Sequence, residues 1–349
     1  MGSVKDLEII KSPEEGETGI GIFTFSDRYS VFDWGEMPDK IKNKGNVLCL
    51  VGGYFLEEAE KLGIQTHFMG FLCKDKLIYF EELEEPVNRM QVRLVRVIKP
   101  KFREGRYCYG YRPGMANFLI PLEIIYRNGL PAGSSIFKRL ERGQVKPEDL
   151  GLDHYPKEGE RLERPIIEVS TKLEESDRYI SWEEAKELVK LTDREVEQIK
   201  QITLGANGLV SERVKDAGLY NEDGKLEFAF DPDRNLMLVD VFGTPDECRF
   251  SYQGIPVSKE IARQHYKRTP WYQDVTRAKE LAEKRGVKDW RLFCRSEPKG
   301  LPGDLKEIIE EVYMAFANAV LPKKFFDARP LDRVLEDYKE WWSRFNSNY

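Results

Sequence analysis

Nowhere in the 349 residues does an apolar run approach the ~20 that a membrane-spanning helix needs. The opening "MGSVKDLEIIKSPEEGE" also lacks the apolar core of a signal peptide. A cytoplasmic protein without a membrane partner is the expectation. Cysteine is scarce: Cys49, Cys73, Cys108, Cys248 and Cys294 form an odd set with no C-x-x-C spacing, which argues against a disulfide framework and a zinc site. His67, His154 and His265 are too few and too scattered for a metal cluster. The formal net charge of −6 lacks the basic surplus of a general nucleic-acid binder. Internal repeats and low-complexity linkers are absent as well.

What is there is 41% apolar and 33% charged residues, the balance of a soluble globular chain. Its length exceeds one typical domain, so two lobes sharing a cleft are expected. "GIGIFTFSDRYSVFDW" reads as a strand delivering charge to a loop, and "VLCLVGGYFLEEAEKLG" as a helix stopped at Gly63. "THFMGFLCKDKLIYFEEL" and "RMQVRLVRVIKP" read as strands. A β-rich lobe over 1–98 follows, then an α+β lobe over 99–265 and a helical C-terminal extension over 266–349. Capping boxes at Ser181 with Glu184 and Thr192 with Glu195 predict two consecutive helices rather than one. In the tail, "DLKEIIEEVYMAFANAV" and "LDRVLEDYKEWWSRF" are amphipathic, and Trp341 and Trp342 are expected to anchor a helix to the body or to a second subunit.

The stretch 99–117 sets Lys99, Lys101, Arg103, Arg106 and Arg112 against Glu104, with Tyr107, Tyr109 and Tyr111 on one side of any strand. It could cap an anionic ligand. An edge hairpin whose tyrosines pack on the body is the favoured reading, because the stretch holds no binding motif.

The chemistry concentrates in "DGKLEFAFDPDRNLMLVDVFGTPDECRF", 223–250. Strand alternation puts Asp223, Lys225 and Glu227 on one face and Leu226 and Phe228 toward the core. "NLMLVDV" completes a hairpin with Asp240 at its polar end. Glu227 and Asp240, oxygen donors on adjacent strands, suit a magnesium ion whose shell is finished by phosphates and water. A solvated face explains any one of these charges, less so Asp240 between two valines. "TPDECR" is a turn leading to Arg249. "PLEIIYRNGLPAGS" ends a strand at Arg127 and offers a glycine loop with Ser134, so two arginines and a Gly-Ser loop could form a phosphate pocket.

These segments together resemble the SAICAR synthetases of purine biosynthesis, over most of residues 2–265. "SDRYSVFD", "NKGNVL", "PLEIIYRNGLPAGS", "STKLEESDRYIS", "DGKLEF", "VDVFGTPDECRF" and "VSKEIAR" are similar to that family's ordered motifs. The resemblance implies an α+β fold of two lobes, ATP-grasp-like, clasping ATP. It implies an ATP- and Mg²⁺-dependent ligase that phosphorylates the carboxylate of an aminoimidazole ribonucleotide, CAIR, and joins it to L-aspartate. By motif position, Glu227 and Asp240 would hold Mg²⁺, and Asp223 and Lys225 would orient substrate and stabilise the transferring group. Arg127, Ser134 and Arg249 would grip the 5′-phosphate, while Ser26, Asp27, Arg28 and Asp33 line the N-terminal side of the cleft. Lys5 and Lys44 would meet ATP. Family members are commonly oligomeric, so a homodimer or larger homo-oligomer is expected by resemblance. Ser3 stands where the family has a lysine, and the chain carries the insertion near 101–117 and a long tail. Those departures keep two alternatives open: a paralogous ligase acting on another carboxylate or amine, and a nucleotide-binding regulatory protein without catalysis.

Overall fold

The computed structural model describes residues 4–287 and 289–347; Ser3 lies outside the described residues. Strands β1 (Lys5–Lys11), β2 (Gly19–Phe25), β3 (Phe68–Cys73), β4 (Lys76–Ile78) and β5 (Arg89–Leu94) form an antiparallel sheet in the order β1-β2-β5-β3-β4. Helix α1 (Lys44–Lys61) covers it, because fourteen of its eighteen residues are buried. Its first turn lies so close to β2 that a Cβ on Gly45 would meet the Phe25 carbonyl oxygen at 2.7 Å. Asp27 completes that turn: its Oδ1 accepts from the Gly45 N–H at 3.0 Å.

A second sheet carries β8 (Phe118–Leu130), β9 (Glu160–Thr171), β10 (Tyr179–Ile180), β11 (Tyr220–Phe230), β13 (Cys248–Tyr252) and β14 (Ile255–Pro256), ordered β10-β9-β8-β11-β13-β14. Strand β12 (Leu236–Val239) also pairs with β11, as the hairpin pattern predicts. Arg127 does not end its strand. Pairing with β9 slips past a bulge after Arg127 and resumes at Gly129, so β8 runs on to Leu130. Strands β6 (Lys101–Arg103) and β7 (Arg106–Cys108) pair only with each other, as a separate hairpin.

Helix α2 (Ser135–Glu141) follows β8, and α3 (Trp182–Val189) and α4 (Asp193–Asp216) pack beside the second sheet. Their separation follows the caps. Ser181 accepts from the Glu184 N–H, Lys190 turns left-handed at φ 59°, and Thr192 and Glu195 form a full capping box. The tail forms α5 (Glu260–Lys267), α6 (Pro270–Arg285), α7 (Gly303–Val320) and α8 (Leu331–Ser347). These helices join the main core: Phe316 of α7 stacks on Phe250 of β13 with centroids 5.0 Å apart. Trp341 is buried on α8 beside His265, and Trp342 is covered by the Arg268 guanidinium at 4.8 Å. Among the described residues, no helix is long and apolar enough to cross a membrane.

Candidate active site

Strand β11 organises the site. Leu226 and Phe228 point into the core, so the alternate residues Asp223, Lys225 and Glu227 share the opposite face. The antiparallel register sets Asp223 opposite Arg127 and Glu227 opposite Glu123 on β8, and Asp223 opposite Arg249 on β13.

At the Asp223 end the charges are arginine and carboxylate. Arg127 is 2% exposed and every nitrogen of its guanidinium is engaged. Nε donates to Glu168 Oε2 at 2.8 Å, Nη1 to Ser134 Oγ at 3.3 Å and Asp223 Oδ2 at 3.1 Å, and Nη2 to Ser135 Oγ at 3.2 Å and Tyr179 Oη at 2.9 Å. Arg249 grips Asp223 from the other side, with Nε 2.9 Å from Oδ1. Arg139 continues the array, donating to Glu168 Oε1 at 2.7 Å with its guanidinium 3.8 Å over the Tyr179 ring. Burial alone would favour losing the Arg127 charge, but Glu168, Tyr179 and Asp223 hold it in place and raise its pKa.

At the Glu227 end the cations are lysines. Lys225 Nζ lies 2.8 Å from Glu227 Oε1, 3.0 Å from Glu123 Oε1 and 3.2 Å from Glu247 Oε2. Lys172 Nζ reaches the same Glu227 oxygen at 2.5 Å and Glu123 at 3.4 Å. Burial works against the Lys225 charge, yet Glu247, Glu227 and Glu123 raise its pKa well above the ordinary value. Asp240 is paired with Lys5 and also accepts from the Val241 N–H at 2.7 Å. It holds φ at 63°, a left-handed conformation that Asp tolerates better than most residues, and His67 Nε2 sits 3.0 Å from its carbonyl oxygen. Burial would raise the Asp240 pKa, but Lys5 and then Lys225 bring it below the ordinary carboxylate range. The same burial pushes His67 down to about 4, leaving it neutral.

The structure brings Asp223, Lys225, Glu227, Arg127, Ser134, Arg249, Lys5 and Asp240 onto this one face and its rim. The four residues from "SDRYSVFD" spread further. Ser26 Oγ donates to the Val4 carbonyl, Arg28 bonds Ser26 and Asp6, Asp27 caps α1, and Asp33 is exposed with Lys279 Nζ at 2.7 Å. Lys44 is fully buried, pairing with Asp246 Oδ2 at 2.8 Å and donating to the Arg28 carbonyl at 3.2 Å. Burial opposes ionisation of Asp246; Lys44, Lys259 and the Tyr313 hydroxyl at 2.7 Å hold its pKa at about 2. Glu123, Glu168, Lys172, Tyr179 and Asp246 all stand in or beside motifs singled out in the sequence, but pairing across strands is what gives them partners, and that pairing carries no local signal.

Glu227 and Asp240 remain capable of metal ligation. Among the described residues, no hydrogen bond reaches Glu227 Oε2 or Asp240 Oδ2. No group of three or more His, Cys, Asp or Glu side chains suited to a metal is assembled there either. Both are hard oxygen donors, the ligand type that magnesium takes one or two of while keeping waters and phosphate oxygens.

Residues 14–278 match the family model described as SAICAR synthetase. A protein of Archaeoglobus fulgidus, provisionally named a phosphoribosylaminoimidazole-succinocarboxamide synthase, is 50% identical over 340 residues, covering 97% of this chain and 99% of that one. The Thermoplasma acidophilum phosphoribosylaminoimidazole-succinocarboxamide synthase is 31% identical over 331 residues, 93% and 98% of the two chains. The fold is that of the Saccharomyces cerevisiae SAICAR-synthase complexed with SAICAR, at TM-score 0.60 and 20% identity over 93% of this chain and 94% of that one. A type-2 SAICAR synthetase in complex with ADP gives TM-score 0.55 at 22% identity, over 86% and 99%. Matches that run nearly end to end, on the fold that brings these charged motifs onto one strand face, carry one conclusion: the chain belongs to the SAICAR synthetase family.

Proposed function

We propose that the protein is the ATP-dependent carbon–nitrogen ligase of purine biosynthesis that joins CAIR and L-aspartate to give SAICAR, ADP and phosphate. The observation that carries this reading is the division of labour along β11: arginines on a buried carboxylate at one end, lysines interleaved with carboxylates at the other. The arginine end suits the ribonucleotide 5′-phosphate through Arg249, whose guanidinium Asp223 fixes beforehand and whose Nη1 makes no hydrogen bond among the described residues. Arg127, with all its donors engaged, holds Asp223 in place. Ser134 stands at the same place, with its hydroxyl on Arg127.

The lysine end suits phosphoryl transfer. A CAIR carboxylate oxygen attacks the γ-phosphorus of ATP, the bond to the ADP oxygen breaks, and an acyl phosphate forms. The aspartate amine then attacks the acyl carbon, the C–O bond to phosphate breaks, and the amine gives up a proton. Negative charge moves between oxygens in both steps, and preorganised cations are the largest source of stabilisation for such a change. Lys225, Lys5 and Lys172 supply those cations within the cleft. Glu227 and Asp240 would hold Mg²⁺, which would supply further neutralisation of the phosphates. Ser26, Arg28 and Asp33 form the N-terminal wall, and Lys44 with Asp27 and Asp246 braces that wall from below rather than meeting ATP directly.

The test is ADP release by the purified protein with ATP and Mg²⁺, with CAIR and L-aspartate each omitted in turn. Release that needs both, with the succinocarboxamide found by mass, is the expected result. Turnover that ignores CAIR would overturn it.

A further inference from the structure

The hairpin β6–β7 stands outside both sheets, but the residues that follow it reach the cleft through one loop. We propose that Tyr109, acting through Glu174, is a positioning residue that holds the turn aiming Lys172 at Glu227 and Glu123. The inference rests on the reading of the cleft given above.

The loop from 172 to 178 joins β9 to β10. Thr171 and Arg178 close it: the Thr171 N–H donates to the Arg178 carbonyl at 2.9 Å, and the Arg178 N–H to Thr171 Oγ1 at 3.0 Å. Inside this loop Leu173 has φ 71°, a left-handed conformation that is unfavourable for a residue with a Cβ. Such a conformation persists only when its neighbours determine it. On one side, Lys172 is fixed by its two glutamates and by its N–H, which donates to the Pro121 carbonyl at 2.8 Å.

On the other side stands Glu174, whose carboxylate is wholly covered although the residues after it are exposed. Its Oε1 accepts from the Tyr109 hydroxyl at 2.5 Å, and its Oε2 from Arg178 Nε at 2.8 Å. The next amide is held too: the Glu175 N–H donates to Tyr107 Oη at 3.0 Å. Tyr109 is in turn set by the fold, because its ring lies against Tyr111, which is buried on Phe118 of β8 with its hydroxyl on the Ile98 carbonyl at 2.9 Å. A continuous set of contacts thus runs from β8 through Tyr111, Tyr109 and Glu174 to the turn at Leu173. A covered carboxylate demands its hydrogen bonds. Without the Tyr109 hydroxyl, Glu174 keeps Arg178, whose Nη2 also donates to Oε1 at 3.1 Å, and the Thr171 side chain. It loses its hydrogen bond to the segment that follows β7, and the turn can relax toward the right-handed region and withdraw Lys172.

Tyr109→Phe removes the hydroxyl and keeps the ring. The expected result is a kcat about tenfold lower, a thermal midpoint nearly unchanged, and amides of residues 172–175 that exchange at least tenfold faster. In a Lys172→Met background, the same substitution is expected to add no further loss, because the hydroxyl acts through that lysine. Equal fractional losses in the two backgrounds, or amide exchange unchanged by Tyr109→Phe, would overturn the proposal. Amide exchange is read without turnover. Wild-type protein that releases no CAIR-dependent ADP but still shows the Tyr109-dependent exchange would therefore remove the substrate reading and leave the clasp standing.

Discussion

The two ends of β11 present the same net chemistry, cations gathered on a buried carboxylate, by opposite means. Around Asp223 the cations are arginines, each locked into a planar fork, with Arg127 making five side-chain hydrogen bonds in fixed directions. Around Glu227 they are lysines, point charges on flexible stems shared among Glu123, Glu227 and Glu247. A fork of fixed geometry is suited to recognising a group that stays the same through the reaction. A lysine cluster can follow charge that moves, because an ammonium can rotate its donors toward a new oxygen at little cost. On the proposed reading, binding and chemistry lie four positions apart on one strand.

The separation can be broken from either end. Lys225→Met leaves Glu247 without its ammonium and Glu123 and Glu227 with Lys172 alone, so kcat is expected to fall by about 10³ or more and the thermal midpoint with it. ADP release and calorimetry read the two effects; a loss below tenfold would take Lys225 out of the reacting zone. Arg249→Ala acts at the other end. Loss of a charge-assisted contact to phosphate is expected to raise KM for the ribonucleotide by about 10- to 100-fold while kcat changes less. Constant KM with reduced kcat would reverse the assignment of the two ends.

A smaller effect comes from His67 beneath Asp240. The unfolded chain takes up this proton near the ordinary 6.5, while the folded protein takes it up only near 4. Between those values the unfolded state holds more protons, so stability is expected to drop as pH falls from 6.5 to 4, by up to about 3 kcal/mol. Denaturant titrations across this window should show a flatter profile for His67→Gln. An identical slope would place the acid sensitivity elsewhere.

Much of this architecture is legible in the chain. Alternation around Lys225 places three charges on one face, and the boxes at Ser181 and Thr192 divide two helices, because both patterns are local. The pairing of Lys172 with Glu227 is not, since it depends on three strands meeting in register. Nor is the engagement of Lys44: its motif points to a phosphate, while its partner Asp246 is set by packing of α1 against the turn after β12 and by α7. The clasp on Glu174 was hidden for the same reason. Tyrosines spaced by two show which side of a ribbon they share, but not which loop passes over it.

One of these contacts has a consequence in time. Asp246 receives its hydroxyl from Tyr313, 67 residues further along the chain. During synthesis at roughly 5–20 residues per second, Lys44 and Asp246 are both in the chain for several seconds before that tyrosine is made. Helix α1 can pack on the first sheet early, but the buried group around Asp246 is not complete until α7 has been made and has docked, which ties that part of the fold to the arrival of the C-terminal helices.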